Sequence, residues 1–242
     1  VIAVLLAMAH VLVIGARPAA APAASPSPAG LSPATVLARY AKALTTLREP
    51  RVITFDYTLA QTGLRTLAQT HRVFRAGNDE RDETLTVDSK ALIPPKVRIF
   101  RGRRNRYTVA RLAPRVADYG FTFVGTVKDA HHLDYVFTLA PHAARPFRVT
   151  AMRIDGVRFL PLSIDFVTSA NDGAGSITFG SDARWWVPFA ATARATVASD
   201  VAEERLTFYT YRFPSTLPPS TFTQAHRLGA ISSSRMVGLT AK

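Results

Sequence analysis

The chain has 242 residues, 48% of them hydrophobic, with 16 prolines and no cysteine, which is enough for one large core or two small ones. Thirty lysine and arginine residues against 17 acidic ones leave a formal charge of +13, a balance that favours acidic partners. Without cysteine there is no disulfide framework, no thiolate metal site and no lipid attachment through an N-terminal cysteine.

The first stretch, "VIAVLLAMAHVLVIG", is almost wholly apolar and shorter than the roughly 20 residues of a spanning helix. Small residues and prolines follow in "ARPAAAPAASPSPAG". The pattern predicts a signal peptide over 1–24, an uncleaved anchor being the alternative, and a linker over 25–33. Export would place the protein in the periplasm or cell envelope, where anionic lipid, lipopolysaccharide or cell-wall polymer precedes nucleic acid as the acidic partner.

Ser32-Pro33 is a helix start, the serine as cap and the proline in the first turn. Val36, Tyr40, Leu44 and Leu47 then share one face until Glu49-Pro50 stops the run. From Arg51 the period changes to two. Ile53, Phe55, Tyr57 and Leu59 alternate with Thr54, Asp56 and Thr58, as a half-buried strand requires.

The alternation returns at Phe121 and Phe123, at Tyr135, Phe137 and Leu139, at Ile164 and Phe166, at Ile177 and Phe179, and at Leu206 and Phe208. Turn signals such as "RAGNDE", "KDAHH", "NDGAG" and "VASD" separate these runs. Many short strands behind one front helix predict a mainly β (α+β) fold, an antiparallel sheet or barrel, and exclude an α/β nucleotide fold. One domain over 34–222 and a loose tail over 223–242 complete the expected organisation.

No local motif carries catalysis: there is no G-x-S-x-G, H-E-x-x-H, Walker or EF-hand pattern. His131 and His132 are neighbours at a strand entrance, where they face opposite sides and read as a solvated pair. Gly173, Gly175 and Gly180 do not fit a dinucleotide loop and read as a hairpin turn. The cluster Asp79, Glu80, Asp82 and Glu83 offers carboxylates for acid and base work, but its setting reads as a solvated turn. No catalytic residue, metal or cofactor is therefore expected. A hydrolase with a site dispersed over the fold is the remaining enzyme alternative.

"KVRIFRGRRNRYTV", residues 96–109, reads as two strands joined at "GRRN", which crowds Arg101, Arg103, Arg104 and Arg106 onto a hairpin tip. Only Phe100 and Tyr107 are interleaved, too few aromatic rings for a nucleic-acid platform. The tip is a solvated edge or a contact for an anionic headgroup or a protein partner.

The helix "PATVLARYAKALTTL", the strand "VITFDYTLAQTG", and the later runs "DYVFTLAPH", "MRIDGVRFLPLSIDF", "GSITFGSDARWWVP" and "ERLTFYTYRFPSTLPPSTF" occur in an order that resembles the LolA/LolB superfamily. That family of bacterial lipoprotein-sorting proteins also holds RseB-like sensors and mycobacterial lipid-binding lipoproteins.

The resemblance implies a strongly curved, half-open antiparallel β-barrel, with the N-terminal helix and short helices covering its concave face. It implies a carrier that takes acyl chains of a lipoprotein or lipid without covalent chemistry, and the charge concentrated around 96–106, where the chain departs from the family, points to an anionic lipid as cargo. The cavity would draw on Tyr40, Leu44, Leu47, Phe55, Tyr57, Phe121, Phe123, Phe137, Phe166, Phe179, Phe208 and one of the neighbours Trp185 and Trp186. Ordinary core packing is the alternative for each. A monomer is expected, with a membrane protein at the inner or outer membrane as a further partner. An envelope sensor on the same fold is the competing function.

Overall fold

Ser32 caps helix α1 (Pro33–Thr46), its hydroxyl accepting from the Thr35 amide at 3.2 Å, and Pro33 fills the first helical position. The four-residue spacing puts Val36 and Tyr40 on one face, and both are fully buried. The structure, a computed structural model, describes residues 30–63, 65–102, 108–128, 132–169, 172–197 and 200–223. The expected leader, most of the linker, Arg103, Arg104, Arg106, His131 and the expected tail from 224 lie outside the described residues. All that follows concerns the unit beginning at Leu31.

The strands form two meanders. The first is β1 (Val52–Thr62), β2 (Leu67–Ala76), β3 (Asp79–Val87) and β4 (Lys90–Phe100). The second is β5 (Tyr119–Lys128), β6 (Leu133–Pro141), β7 (Phe147–Ile154), β8 (Pro161–Thr168), β9 (Ala174–Asp182), β10 (Trp185–Val197) and β11 (Asp200–Arg212). Antiparallel pairing of β1 with β11 fuses them into one 11-stranded sheet, ordered β4-β3-β2-β1-β11-β10-β9-β8-β7-β6-β5. The fold is mainly β, an open antiparallel sheet whose edges β4 and β5 are not paired with each other.

That order has a consequence for the chain between Phe100 and Tyr119. Its ends belong to opposite edges of the sheet, and its described part, from Thr108, packs against β10 and the core. The tip of the expected arginine hairpin lies outside the described residues, and its expected second strand is corrected where it is described: "VARL" is the helical turn α2 (Val109–Leu112), and among the described residues β3 is the one partner of β4. The physical reason is burial at helical spacing: Val109 and Ala113 are buried and Leu112 packs against the same core. Helix α1 fastens this segment, since the buried Tyr40 hydroxyl donates to the Pro114 carbonyl at 2.7 Å.

The core lies on one face of the sheet, where most of the period-two residues expected to point inward do so, Phe123 on the edge strand being 40% exposed. Phe137, Ile154, Ile164 and Ile177 are at most 1% exposed. Each such side chain contributes about 1.5–3 kcal/mol by leaving water. Two of the glycines expected in a turn are instead inside β9, and only Gly173 lies before it. A Cβ at Gly175 would stand 2.6 Å from the Phe166 ring, and one at Gly180 would stand 2.3 Å from the Phe189 ring. These strand glycines make room for aromatic rings.

Among the described residues no helix is long and apolar enough to cross a membrane.

Candidate functional site: an apolar cavity, its arginine-lined mouth and two polar networks

The aromatic and leucine residues singled out in the sequence separate into groups. Leu47, Phe55, Trp186 and Phe208 line a cavity of about 60 Å³, together with Ile53, Val109, Val187 and Tyr211, and Glu49 and Arg75 add two charged groups to its wall. It lies where the end of α1 and the start of α2 meet β1, β10 and β11, so the topology assembles it from distant parts of the chain. Thr108 belongs to the same lining, and its buried hydroxyl has no hydrogen-bond partner among the described residues. Burial pushes the Tyr211 phenol up, so it stays protonated and donates to the Pro188 carbonyl.

A second, open hollow of about 450 Å³ lies beside the first. Leu47 and Trp186 belong to both linings, while Ala43, Thr46, Arg48, Arg158, Leu160, Arg184 and Trp185 complete the outer one. Of the adjacent tryptophans, the inner space takes Trp186. Both reach the outer space because it opens at the start of β10, where Trp185 leans on Phe213 at 6.0 Å and Trp186 donates to the Pro161 carbonyl at 2.8 Å.

The other candidates are packed elsewhere. Phe137 is fully buried, edge-on to Phe121 at 6.0 Å and to Phe123 at 5.5 Å, and Phe121 also touches Tyr40 at 6.1 Å. Phe166 and Phe179 are buried on β8 and β9, and Leu44 is half-buried against the core. Arg101 does not stand free: it pairs with Asp79, donates to the Phe222 carbonyl at 2.6 Å and lies over the Phe222 ring.

Tyr57 belongs to a buried polar network that sequence reasoning missed. Its ring stacks on His71 at 4.5 Å with 8° between planes, and its hydroxyl donates to Asp82 Oδ2 at 3.2 Å. His71 Nδ1 lies 2.8 Å from Asp82 Oδ1, and Nε2 lies 3.1 Å from Gln69 Oε1. Burial, then the Asp82 charge, pushes the Tyr57 phenol up, so the hydroxyl keeps its proton.

This corrects the reading of the acidic cluster as a solvated turn. Asp79, Glu80, Asp82 and Glu83 are all on β3, and alternation turns Glu80 and Asp82 into the buried face, where Arg75 meets Glu80 at 2.8 Å. Buried carboxylates are tolerated there because each is paired and hydrogen-bonded. The detectable signal was His71 opposite Thr84 and near Asp82 on neighbouring strands, which needs the register and not the sequence.

The second network closes the β7–β8 turn. His132 Nε2 lies 3.1 Å from Asp134 Oδ1 and 3.3 Å from Asp155 Oδ1, so this histidine is not merely solvated. The three could offer ligand atoms to a cation, all within 4.8 Å of one another. Their other bonds already satisfy much of the charge: Asp134 accepts from Arg153 Nε at 2.9 Å and from the Gly156 amide at 3.1 Å. Asp155 accepts from the Val157 and Arg158 amides. The arrangement pins a turn.

No protein-family model matches the chain, and no curated protein matches it. Solved structures do. The chain is similar to LolA superfamily proteins. One from Nitrosomonas europaea is 13% identical with a TM-score of 0.42, over 81% of this chain and 99% of that one. A domain from Vibrio parahaemolyticus, described as outer membrane lipoprotein-sorting, is 12% identical with a TM-score of 0.40, covering 77% and 94%. The complex of MucA and MucB from Pseudomonas aeruginosa matches at 14% identity and a TM-score of 0.24, covering 78% and 95%. These LolA-like similarities concern the fold.

Proposed function

We propose that the chain is a non-enzymatic periplasmic carrier, exported through residues 1–24, whose domain over 34–222 receives the acyl chains of a lipoprotein or lipid. The observation that supports this best is an apolar cavity covered by the end of α1 and sharing Leu47 and Trp186 with an open hollow. At about 60 Å³ the inner space is well below the roughly 300–1,000 Å³ of an occupied small-molecule pocket. On this reading the structure represents a closed form, and loading requires the C-terminal turn of α1 to move so that the two spaces join. Each methylene that enters contributes about 0.8 kcal/mol, which drives the opening.

Leu47→Glu tests this. The side chain is half-buried at the end of the helix, so folding is expected to survive with a small loss of thermal stability. Affinity for a fluorescent long-chain fatty acid is expected to fall about tenfold or more, because a carboxylate is set in the acyl path. Equal, parallel losses of folding and uptake would sink the gate.

A second reading, an envelope sensor that holds a protein partner, is favoured by edge strand β5, which exposes Phe123, Val124 and Val127. A partner segment pairing with that edge is expected to protect β5 amides from hydrogen exchange. Protection confined to α1 would rule this reading out.

A further inference from the structure

We infer that the open hollow beside α1 is a headgroup site for an anionic, phosphate-bearing amphiphile, with Arg48, Arg158 and Arg184 as its ligands. The inference rests on the carrier reading and names the class of cargo. The three arginines come from the end of α1, the β7–β8 turn and the β9–β10 turn, and no carboxylate residue shares the lining of this outer hollow, Glu49 belonging to the inner one. Among the described residues none of the three has a carboxylate partner. Arg72, Arg75, Arg81, Arg101, Arg145 and Arg153 do have one, and what sets the three apart from other arginines outside ion pairs, such as Arg148, is that they share one hollow.

The tryptophans explain how two of these cations are held without being used up. The Arg184 guanidinium lies over Trp185 at 4.8 Å and that of Arg158 over Trp186 at 5.7 Å. Stacking on a ring face leaves the in-plane N–H donors free, in the fork geometry that suits phosphate oxygens. The hollow also adjoins the apolar cavity through Leu47 and Trp186, so a molecule with its headgroup among the arginines has its acyl chains at the gate. Polar head and apolar tail are recognised in adjoining spaces, and an oxyanion between three cations is the charge such a mouth lacks.

The chain contains two tryptophans, both in this lining, so its intrinsic tryptophan fluorescence reports on the mouth and, through Trp186, on the adjoining inner cavity. Titration of the full chain with monomeric dihexanoylphosphatidylglycerol, dihexanoylphosphatidylcholine and inorganic phosphate separates the sources. The phosphatidylglycerol is expected to bind about tenfold or more tightly than the phosphatidylcholine, the scale of one hydrogen bond to a charged group. Inorganic phosphate is expected to bind much more weakly than either, lacking the acyl contribution.

Arg158→Glu/Arg184→Glu is expected to abolish the preference while phosphatidylcholine still binds, and Arg148→Glu, an equal charge change on an exposed β7 residue outside the hollow, is expected to retain it. Should the double variant fold poorly, Arg48→Glu at the exposed helix end reads the same site. Equal binding of the two lipids, or a preference that survives the arginine variants, would overturn the headgroup site and leave the carrier reading standing. Inorganic phosphate binding as tightly as the anionic lipid would reassign the hollow to a free anion. If neither lipid binds, the carrier reading and this inference fail together.

Discussion

Asp82→Ala is expected to destabilise the fold by about 3–5 kcal/mol, the scale for breaking a buried, charged hydrogen-bond network. Asp82 is 7% exposed and accepts from two neighbours on other strands: the Tyr57 hydroxyl at 3.2 Å and His71 Nδ1 at 2.8 Å. Removing the carboxylate leaves both donors in the sheet's buried face, where His71 is itself 2% exposed. The stack of Tyr57 on His71 keeps the rings from swinging out to water.

Asp82→Asn retains the shape and one acceptor and is expected to lose about 1–2 kcal/mol. By contrast, Asp56→Ala, which breaks the pair with the exposed Arg72, is expected to lose well under about 1 kcal/mol. Urea midpoints compared at constant slope measure all three. An Asp82→Ala cost as small as that of Asp56→Ala would mean that water reaches the network. A typical domain is stable by about 5–15 kcal/mol, so the expected loss is a large fraction of the total.

Phe137→Ala is expected to cost about 3–5 kcal/mol as well, by a different route: lost transfer energy plus the cavity left behind. The side chain is fully buried and braced edge-on by Phe121 and Phe123. Both neighbours are held by the strand pairing of β5 with β6, so collapse into the void is limited. Phe123, 40% exposed on the edge strand, is expected to cost about 1 kcal/mol on truncation.

Phe137 is outside the lining of both hollows, so the folded Phe137→Ala protein is expected to bind a fatty acid within about threefold of the parent chain. A large loss of affinity would move Phe137 from core to cavity wall, and with it the boundary between the two.

Much of the architecture was legible because it depends on neighbours in the chain. The Ser32 cap, the Val36 and Tyr40 spacing and the alternation of Ile53, Phe55 and Tyr57 are local patterns, and each element formed where its period placed it. Misreadings arose where a residue's role depended on strand register. Polar alternation at Glu80 and Asp82 resembles a solvated turn until β2 supplies Arg75 and His71 across the ladder. "VARL" carries strand-like content, yet it forms a helical turn because Val109, Leu112 and Ala113 meet the core at helical spacing.

The candidate site shows the same division. Leu47, Phe55, Trp186 and Phe208 stood out as apolar residues at the right period, but nothing local distinguished them from Phe137 or Phe166, which fill solid core. Which apolar side chain meets a void depends on whether packing from the far side is complete, a property of several elements at once. Arg48, Arg158 and Arg184 were invisible as a group, while the conspicuous run around Arg101 drew attention.

By itself the sequence determined the mainly β class, the capped front helix, the inward faces of most strands and an excess of positive charge, since period, cap chemistry and composition act over a few residues. Only the tertiary structure decided that β1 pairs with β11, that α2 packs against the core, which polar groups are buried in pairs and where three distant arginines converge. Those outcomes depend on contacts between residues far apart in the chain, and their energies exist only once register and topology bring the partners within bonding distance.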